Sequence, residues 1–346
     1  MKAILVEEPK KIGIVERPMP KIENDDDVLV EIKAAGICGS DVHIYHGTSP
    51  VATYPRVVGH EMVGKVIEIG KNVKNVKIGD KVVIEPMIGC GHCYACKSGR
   101  PNACATLKVR GCHVDGGFQE YFVAPEKAIF KFNDDISWEE AAMIEPYTIA
   151  DQITWRADVR PGDYVFIIGA GPIGLCVLEM AKLKGGICII SDFNEKRLGI
   201  AKDLGADYII NPKNEDPLER VKEITNGMGS NVTVDAVCLP QTFEQAVEIT
   251  SVAGRVMSLG FTKEPSKIAQ LSITLKELDI RGSRHQTFKF KHVVDLFNQG
   301  RLQAKKLISN VFDFRDIDKA LYLIENKPSE ICKIVLTFNR EKGENI

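Results

Sequence analysis

Four cysteines lie close together in one stretch of the chain, in the spacing C-x₂-C-x₂-C-x₇-C. They are Cys90, Cys93, Cys96 and Cys104. Four thiolates can complete a tetrahedral zinc shell with Zn–S distances of about 2.3 Å, and a complete shell leaves no position for a substrate. We therefore expect a structural zinc site that braces this stretch. All-cysteine ligation also suits an iron–sulfur cluster, and spacing alone does not separate the two.

A second set of metal-ligand residues is spread along the first 61 residues. Cys38 lies in the segment Gly-Ile-Cys-Gly-Ser-Asp, and His60 is followed directly by Glu61. Taken singly, a cysteine or a histidine is more often a packed or surface residue than a ligand. Together, a thiolate, an imidazole and a carboxylate form an incomplete zinc shell, which leaves a position for water or substrate. The combination predicts a catalytic zinc.

A glycine-rich turn follows the predicted strand 164–168 and opens a predicted helix. It matches the G-x-G-x-x-G pattern of dinucleotide sites; the candidate residues are Gly169, Gly171, Pro172, Ile173 and Gly174. The glycines permit a tight turn, a close approach of the backbone to a pyrophosphate, and close helix–strand packing. The N–H groups at the helix N-terminus attract phosphates. The turn therefore predicts a dinucleotide cofactor.

Asp192 lies at the end of the next predicted strand, just after residue 190, and favours NAD over NADP. A carboxylate at this point can accept hydrogen bonds from the adenosine ribose and repels a 2′-phosphate. Lys196 and Arg197 follow within five residues of Asp192. These two basic residues could contact a 2′-phosphate, although such side chains are more often simply solvated. We retain Arg197 as a candidate cofactor contact.

The elements that must position these residues fall into two regions. Residues 1–150 contain short β-like runs between turn residues, which predicts a mostly β region. From residue 160 onward, strands alternate with helices, which predicts a parallel sheet. We expect strands at 164–168, 187–190, 208–210, 232–237, 255–259 and 278–282. We expect helices at 172–183, 195–204, 217–225, 242–250 and 290–299, with a final β-like segment at 331–338.

Composition indicates a folded protein of about two domains. The chain has 346 residues, of which 44% are apolar and 27% charged, and its formal net charge is −2. This balance offers no electrostatic surface for nucleic acid or an anionic membrane. We recognise no secretory signal, and the longest weakly polar run, 164–178, is shorter than the ~20 residues of a membrane span. We expect a cytoplasmic protein without nucleic-acid or membrane partners.

Taken together, these motifs resemble the zinc-containing medium-chain alcohol dehydrogenases. The chain is most similar to the sorbitol dehydrogenase group and to bacterial starvation-sensing and galactonate-type sugar-acid dehydrogenases. Further matching segments are Asp-Gly-Gly-Phe at 115–118 and Ile-Glu-Pro at 144–146. The resemblance implies a GroES-like, β-rich catalytic domain (1–150 and 286–346). A doubly wound Rossmann NAD-binding domain (151–285) is inserted into it.

The resemblance also implies roles for individual residues. Cys38, His60 and a glutamate, either Glu61 or Glu145, hold the catalytic zinc, and the four-cysteine loop holds a structural zinc. Zinc with one thiolate and one carboxylate is neutral, and a second carboxylate makes the centre anionic and a poorer Lewis acid. We therefore expect at most one firm carboxylate ligand. The sequence does not say which glutamate it is.

Other implied roles concern proton transfer and substrate binding. Ser40 takes the substrate hydroxyl proton and passes it through the cofactor ribose to His43 and solvent. Asp41 is a candidate hydrogen-bond partner for His60. Arg284 could contact polyol hydroxyls or a carboxylate, although a surface salt bridge explains it nearly as well. The remaining cysteines are most simply packed thiols: Cys112, Cys176, Cys188, Cys238 and Cys332.

The sequence thus predicts a zinc-dependent dehydrogenase that transfers a hydride from a secondary alcohol of a polyol or sugar acid to NAD. Relatives of this kind are commonly dimers or tetramers, so we expect a homodimer or homotetramer. One alternative is an NAD-binding sensory protein of the same fold without turnover; another is threonine dehydrogenase-like activity. A zinc-ribbon nucleic-acid binder is disfavoured because it would show two C-x₂-C pairs ~15–20 residues apart.

Overall fold

The computed structural model describes residues 1–338 and contains two compact units. The first comprises Met1–Glu145 and the described residues from Phe290 onward, and the second comprises Pro146–Lys289. The first unit is therefore built from both ends of the chain. None of the helices in the described residues is long and apolar enough to cross a membrane.

The N-terminal part of the first unit is built mainly from strands. They are β1 (Lys2–Glu8), β2 (Lys11–Glu16), β3 (Asp27–Gly36), β4 (Arg56–Val57), β5 (Glu61–Ile69), β6 (Lys81–Ile84), β7 (Met87–Ile88), β8 (Lys108–Val109), β9 (Tyr121–Pro125) and β10 (Ile129–Lys131). Three short helices accompany them: α1 (Gly39–His46), α2 (Tyr94–Lys97) and α3 (Trp138–Ala141). Single 3₁₀ turns occur at Pro101–Ala103 and Glu126–Ala128.

The second unit alternates helices with parallel strands. After α4 (Ile144–Arg156), the strands are β11 (Tyr164–Ile168), β12 (Ile187–Ser191), β13 (Tyr208–Ile210), β14 (Ser230–Asp235), β15 (Thr250–Ser258) and β16 (Asp279–Gly282). The helices are α5 (Pro172–Leu183), α6 (Glu195–Asp203), α7 (Pro217–Ile224), α8 (Pro240–Ile249) and α9 (Gln270–Thr274). The strand order β13-β12-β11-β14-β15-β16 confirms the predicted doubly wound parallel sheet.

The C-terminal part returns to the first unit. It contains α10 (Phe290–Asn298), β17 (Ile308–Asp313), α11 (Ile317–Asn326) and β18 (Lys333–Thr337), with 3₁₀ turns at Ala304–Leu307 and Phe314–Asp316. Strand β18 pairs with β3 on one side and β17 on the other, which completes the order β10-β6-β5-β3-β18-β17. This mixed sheet confirms the predicted β-rich domain, into which the Rossmann unit is inserted.

The central strand β3 is the point where distant residues meet. Its last residue, Gly36, pairs with Glu61 at the start of β5 and with Val335 on β18. Because β3 is paired on both sides, its backbone groups are satisfied, and most of its side chains are buried. The sheet therefore brings together the segment that leads into Cys38, the start of β5 and the C-terminal strand.

The segment around residues 109–118 packs against the backbone that precedes His60. The N–H groups of Gly116, Gly117 and Phe118 donate to the carbonyls of Val57, Gly59 and Val58, respectively. A Cβ at Gly116 would lie 2.2 Å from the Gly59 carbonyl oxygen. Only a glycine allows this approach, so the Asp-Gly-Gly-Phe motif holds the strand edge that carries the site.

We predict that Gly116→Ala destabilises the protein by about 1–3 kcal/mol, because the added methyl group must push two backbone segments apart. Gly13→Ala is the matched control, since a Cβ at Gly13 meets nothing within 4 Å. Chemical denaturation of both variants checks this prediction. Equal stability of the two variants would show that the close packing at Gly59 is not a constraint.

Candidate functional site

Asp41 connects the two segments that carry the candidate metal ligands. Cys38 lies at the N-terminus of α1, and its N–H donates to Asp41 Oδ2 at 2.9 Å. The other carboxylate oxygen, Oδ1, accepts from the Gly59 N–H at 3.1 Å. Asp41 is only 4% exposed. This carboxylate therefore fixes the Cys38 segment against the residue that precedes His60.

The ligand atoms of Cys38, His60 and Glu61 form one compact group. All three lie within 4.8 Å of one another, a spacing that suits bonds of 2.0–2.3 Å from one central ion. His60 is buried, and its Nδ1 has no hydrogen-bond partner, although it lies 3.6 Å from Asp41 Oδ1. Burial lowers the pKa of His60, but the charges of Asp41 and Cys38 outweigh it and raise the pKa well above its usual value. The donor set therefore fits zinc.

Lys333 is a member of this cluster that the sequence analysis missed. Its ammonium donates to Glu61 Oε1 at 2.5 Å and also contacts Oε2. Lys333 is 3% exposed and Glu61 is 2% exposed. Burial lowers the pKa of Lys333, but the charges of Glu61 and Cys38 raise it above its ordinary value. Because 272 residues separate the two partners, no local pattern could have indicated the pair.

Glu145 is the second carboxylate of the cluster. It lies in the first turn of α4 and is 5% exposed. Burial raises the pKa of Glu145 to about 7, His60 opposes this shift, and the neighbouring charge of Glu61 adds to it. Glu145 is not part of the three-residue group whose ligand atoms lie within 4.8 Å. The structure thus brings both glutamates to one cluster, with Glu61 nearer to Cys38 and His60.

The candidate proton-transfer residues lie on α1. Ser40 is half-buried two residues after Cys38, and His43 is exposed, with its Nδ1 2.9 Å from Thr48 Oγ1. Arg284 belongs to the second unit, where it is half-buried shortly after β16. The proposed roles of these three residues stay predictions. Cys112 is buried, and burial raises its pKa to about 11, with His60 opposing the shift.

The four-cysteine loop has the geometry of a metal site. The sulfur atoms of Cys90, Cys93, Cys96 and Cys104 all lie within 4.8 Å of one another. Cys104 Sγ accepts from the Cys90 N–H at 3.3 Å, and Cys90 Sγ accepts from the Cys93 N–H at 3.4 Å. The Cys90 N–H is the main cause that lowers the pKa of Cys104 to about 6. Such donors stabilise thiolates, so the loop fits a structural zinc.

The glycine-rich turn joins β11 to α5 as the pattern requires. Gly169 has φ of +98°, and a Cβ at Gly174 would lie 1.9 Å from the Gly169 carbonyl oxygen. Gly171 is the N-cap of α5, Pro172 begins the helix, and a Cβ at Gly171 would meet nothing within 4 Å. The N-terminus of α5 is therefore open to a phosphate.

Asp192 follows β12 and holds the same turn in place. Its Oδ2 accepts from the Ala170 N–H and its Oδ1 accepts from the Asn194 N–H, both at 2.8 Å. Each oxygen keeps a second lone pair for a ribose hydroxyl. Arg197 lies half-buried on α6, near the N-cap Asn194. The predicted cofactor residues 169–174 and 192 are thus assembled at the carboxyl end of one sheet.

Two family models match this chain. Residues 24–134 match the alcohol dehydrogenase GroES-like domain, and residues 172–299 match the zinc-binding dehydrogenase family. The chain is 41% identical to the starvation-sensing protein RspB of Escherichia coli K12, over 98% of this chain and 100% of that protein. It is 32% identical to sorbitol dehydrogenase of Bacillus subtilis (98% of each chain) and to L-galactonate-5-dehydrogenase of E. coli K12 (98% and 99%).

A crystal structure of similar architecture contains a bound cofactor. It is that of an alcohol dehydrogenase (rspB) from E. coli CFT073 complexed with NADH. The two chains superpose with a TM-score of 0.92 at 40% identity, over 98% of this chain and 99% of the other.

We predict that Cys93→Ser removes one equivalent of zinc from the purified protein and lowers its melting temperature. A serine hydroxyl is a much poorer zinc ligand than a thiolate, and the loop then loses the ion that cross-links it. Cys332→Ser is the control, because Cys332 belongs to neither metal-ligand group. The measurement is elemental analysis together with a thermal melt. Unchanged zinc content in Cys93→Ser would contradict the assignment.

Proposed function

We propose that this chain transfers a hydride from a secondary alcohol to NAD and forms the ketone. The chain belongs to the zinc-containing alcohol dehydrogenase family. The observation that carries the proposal is the compact group of Cys38, His60 and Glu61, in which Cys38 is half-buried and the other two are buried. A thiolate, an imidazole and a carboxylate leave one zinc coordination position open for a substrate oxygen. A zinc ion bound there would lower the pKa of a substrate hydroxyl toward neutrality.

The surrounding residues hold the candidate metal ligands in place and transfer the proton of the substrate hydroxyl. Asp41 keeps Cys38 and His60 in register through its two backbone hydrogen bonds. Ser40 would accept the proton of the substrate hydroxyl while releasing its own through the cofactor ribose to His43, one turn further along α1, which delivers a proton to solvent. Either Glu61 or Glu145 would supply the one firm carboxylate ligand. Bound NAD would supply the hydride acceptor, so that oxidation of the substrate carbon by two electrons would be balanced by two-electron reduction of the cofactor.

The second unit is the proposed NAD-binding domain. The open N-terminus of α5 receives the pyrophosphate, and the Asp192 carboxylate accepts from the adenosine ribose. Arg197 is a proposed further contact. A carboxylate that already orders the glycine turn through Ala170 also repels a 2′-phosphate. We therefore propose NAD rather than NADP as the working cofactor.

The proposed substrate is a polyol or a sugar acid. Relatives at 32% identity include sorbitol dehydrogenase and L-galactonate-5-dehydrogenase, whose substrates carry several hydroxyl groups. Arg284 offers a guanidinium for a hydroxyl or carboxylate of such a molecule. We also propose that the protein forms a homodimer or homotetramer and is located in the cytoplasm. The sensory alternative is less well supported, because the metal-ligand group and Ser40 are all retained.

We predict steady NADH formation when the zinc-loaded protein is given NAD and a panel of polyols and sugar acids. Cys38→Ala should lower kcat/KM by on the order of 10³-fold, because the substrate hydroxyl then loses its Lewis acid. The variant should retain only the zinc of the four-cysteine loop. Cys332→Ala is the control and should keep full activity. Undiminished turnover in Cys38→Ala would refute the mechanism, and NAD binding without turnover across the panel would favour the sensory protein.

We also predict that Asp192→Asn lowers the ratio of kcat/KM for NAD to kcat/KM for NADP by at least about tenfold. The amide keeps an acceptor for the Ala170 N–H but removes the charge that repels a 2′-phosphate. Asp203→Asn, on the exposed side of α6, is the charge-matched control. The measurement is the ratio of kcat/KM for NAD and NADP. An unchanged ratio in Asp192→Asn would show that this carboxylate does not select the cofactor.

A further inference from the structure

Lys333 is a buried cation that the proposed mechanism does not use. It is the first residue of β18, and the four residues that follow it, Ile-Val-Leu-Thr, continue a buried strand. An ammonium group inside a domain is strongly unfavourable unless negative charges compensate it. The negative groups that act on Lys333 are Glu61, Cys38 and Glu145. Every one of them is a candidate ligand of the catalytic metal.

The sheet itself enforces the contact between Lys333 and Glu61. Gly36 on β3 lies between the two side chains: a Cβ there would overlap Glu61 Oε2 and lie 2.9 Å from Lys333 Cε. Glycine at this position lets β5 and β18 place their first side chains together across β3. The ammonium touches both oxygens of Glu61. The pair is therefore built into the strand register rather than formed by two mobile surface chains.

Charge counting shows what this pair does for the cluster. A divalent ion with the Cys38 thiolate and two carboxylates carries a net charge of about −1, which weakens a Lewis acid. Adding the Lys333 ammonium returns the sum over the ion, these three ligands and Lys333 to zero; the Asp41 carboxylate, 3.6 Å from His60 Nδ1, lies outside this count. Both Glu61 and Glu145 can then face the same ion without making the centre anionic. The charge count made from the sequence did not include this cation, and it therefore allowed only one firm carboxylate ligand.

We propose that Lys333 is a positioning residue and the counter-cation of the catalytic metal site. It orients Glu61 through the hydrogen bond to Oε1 and the ion-pair contact with Oε2, and it compensates the second carboxylate of the cluster. This inference rests on the proposed function, since it concerns the same metal site. Lys333 does not bind the metal, and a cation near a cation does not strengthen metal binding. Its effect is on how strongly the site acidifies the substrate hydroxyl.

This role makes a prediction that a purely structural lysine does not make. In Lys333→Met the centre becomes more negative, so the substrate hydroxyl should be less acidic. We expect the acidic limb of the kcat–pH profile to move up by about one unit, as removal of one nearby charge commonly does. Zinc retention at the catalytic site, measured by competition with a chelator, should be equal to or tighter than in the wild-type holoenzyme.

The control variants separate charge from folding. Lys33→Met removes the ammonium of another partly buried ion pair in the same sheet, 2.7 Å from Glu31 Oε1, and should leave the profile unchanged. The double variant Lys333→Met/Glu61→Gln leaves no unpaired buried charge at this position. It should therefore fold even if Lys333→Met does not, and its acidic limb should return toward the wild-type position.

Two results would overturn the inference. One is a folded, zinc-loaded Lys333→Met whose acidic limb does not move, or whose catalytic zinc is lost tenfold more readily. The other is a double variant whose limb shifts upward by the amount expected for Lys333→Met alone. Failure of the proposed function looks different, because the wild-type protein itself would then show no catalytic zinc or no NAD-linked turnover.

Discussion

The structure depends on keeping several like-charged ligand groups together in a buried place. A thiolate and two carboxylates repel one another, and each loses its hydration when buried, so a metal-ligand cluster opposes the folding of the domain that contains it. The first unit meets this constraint with fixed partners. Asp41 accepts from the backbone at both segments that carry Cys38 and His60. Lys333 neutralises Glu61. Glycine at position 36 leaves room for Glu61 and Lys333 to meet, and glycine at position 59 leaves room for the Phe118 ring.

The same principle explains why this unit uses both ends of the chain. Cys38, His60 and Glu61 lie within 24 positions of one another, so two hydrogen-bonded segments suffice to group them. Their counter-cation, Lys333, lies on β18, which follows the whole second unit in the sequence. The inserted Rossmann sheet therefore interrupts the sequence of the first domain without interrupting its sheet. Strand β18 pairs with β3 as the register at Val335 and Gly36 requires.

The parts that the sequence predicts well are those set by local chemistry. Strand 164–168, helix 172–183 and the turn between them occur as expected, because a strand, a G-x-G-x-x-G turn and a proline at the first helical position all favour the same structure. Strand β14 begins two residues earlier than predicted, since Ser230 pairs with Thr250 before the apolar run starts. Helices α1 to α4, α9 and α11 were not predicted. Helix α11 lies between the predicted helix 290–299 and the predicted β-like segment 331–338, in a stretch for which no element was predicted, and the β-like segment itself contains β18.

The part that the sequence could not predict is tertiary electrostatics. Spacing indicated the cysteines and the histidine as candidate ligands, but the charge of their surroundings depends on a lysine 272 positions from its partner. The most direct test of the account is anomalous diffraction at the zinc edge from a zinc-loaded crystal. We predict two zinc peaks per chain, one within the four-cysteine loop and one within bonding distance of both Cys38 Sγ and a ring nitrogen of His60. A single peak confined to the four-cysteine loop, in a crystal of active enzyme, would contradict the account.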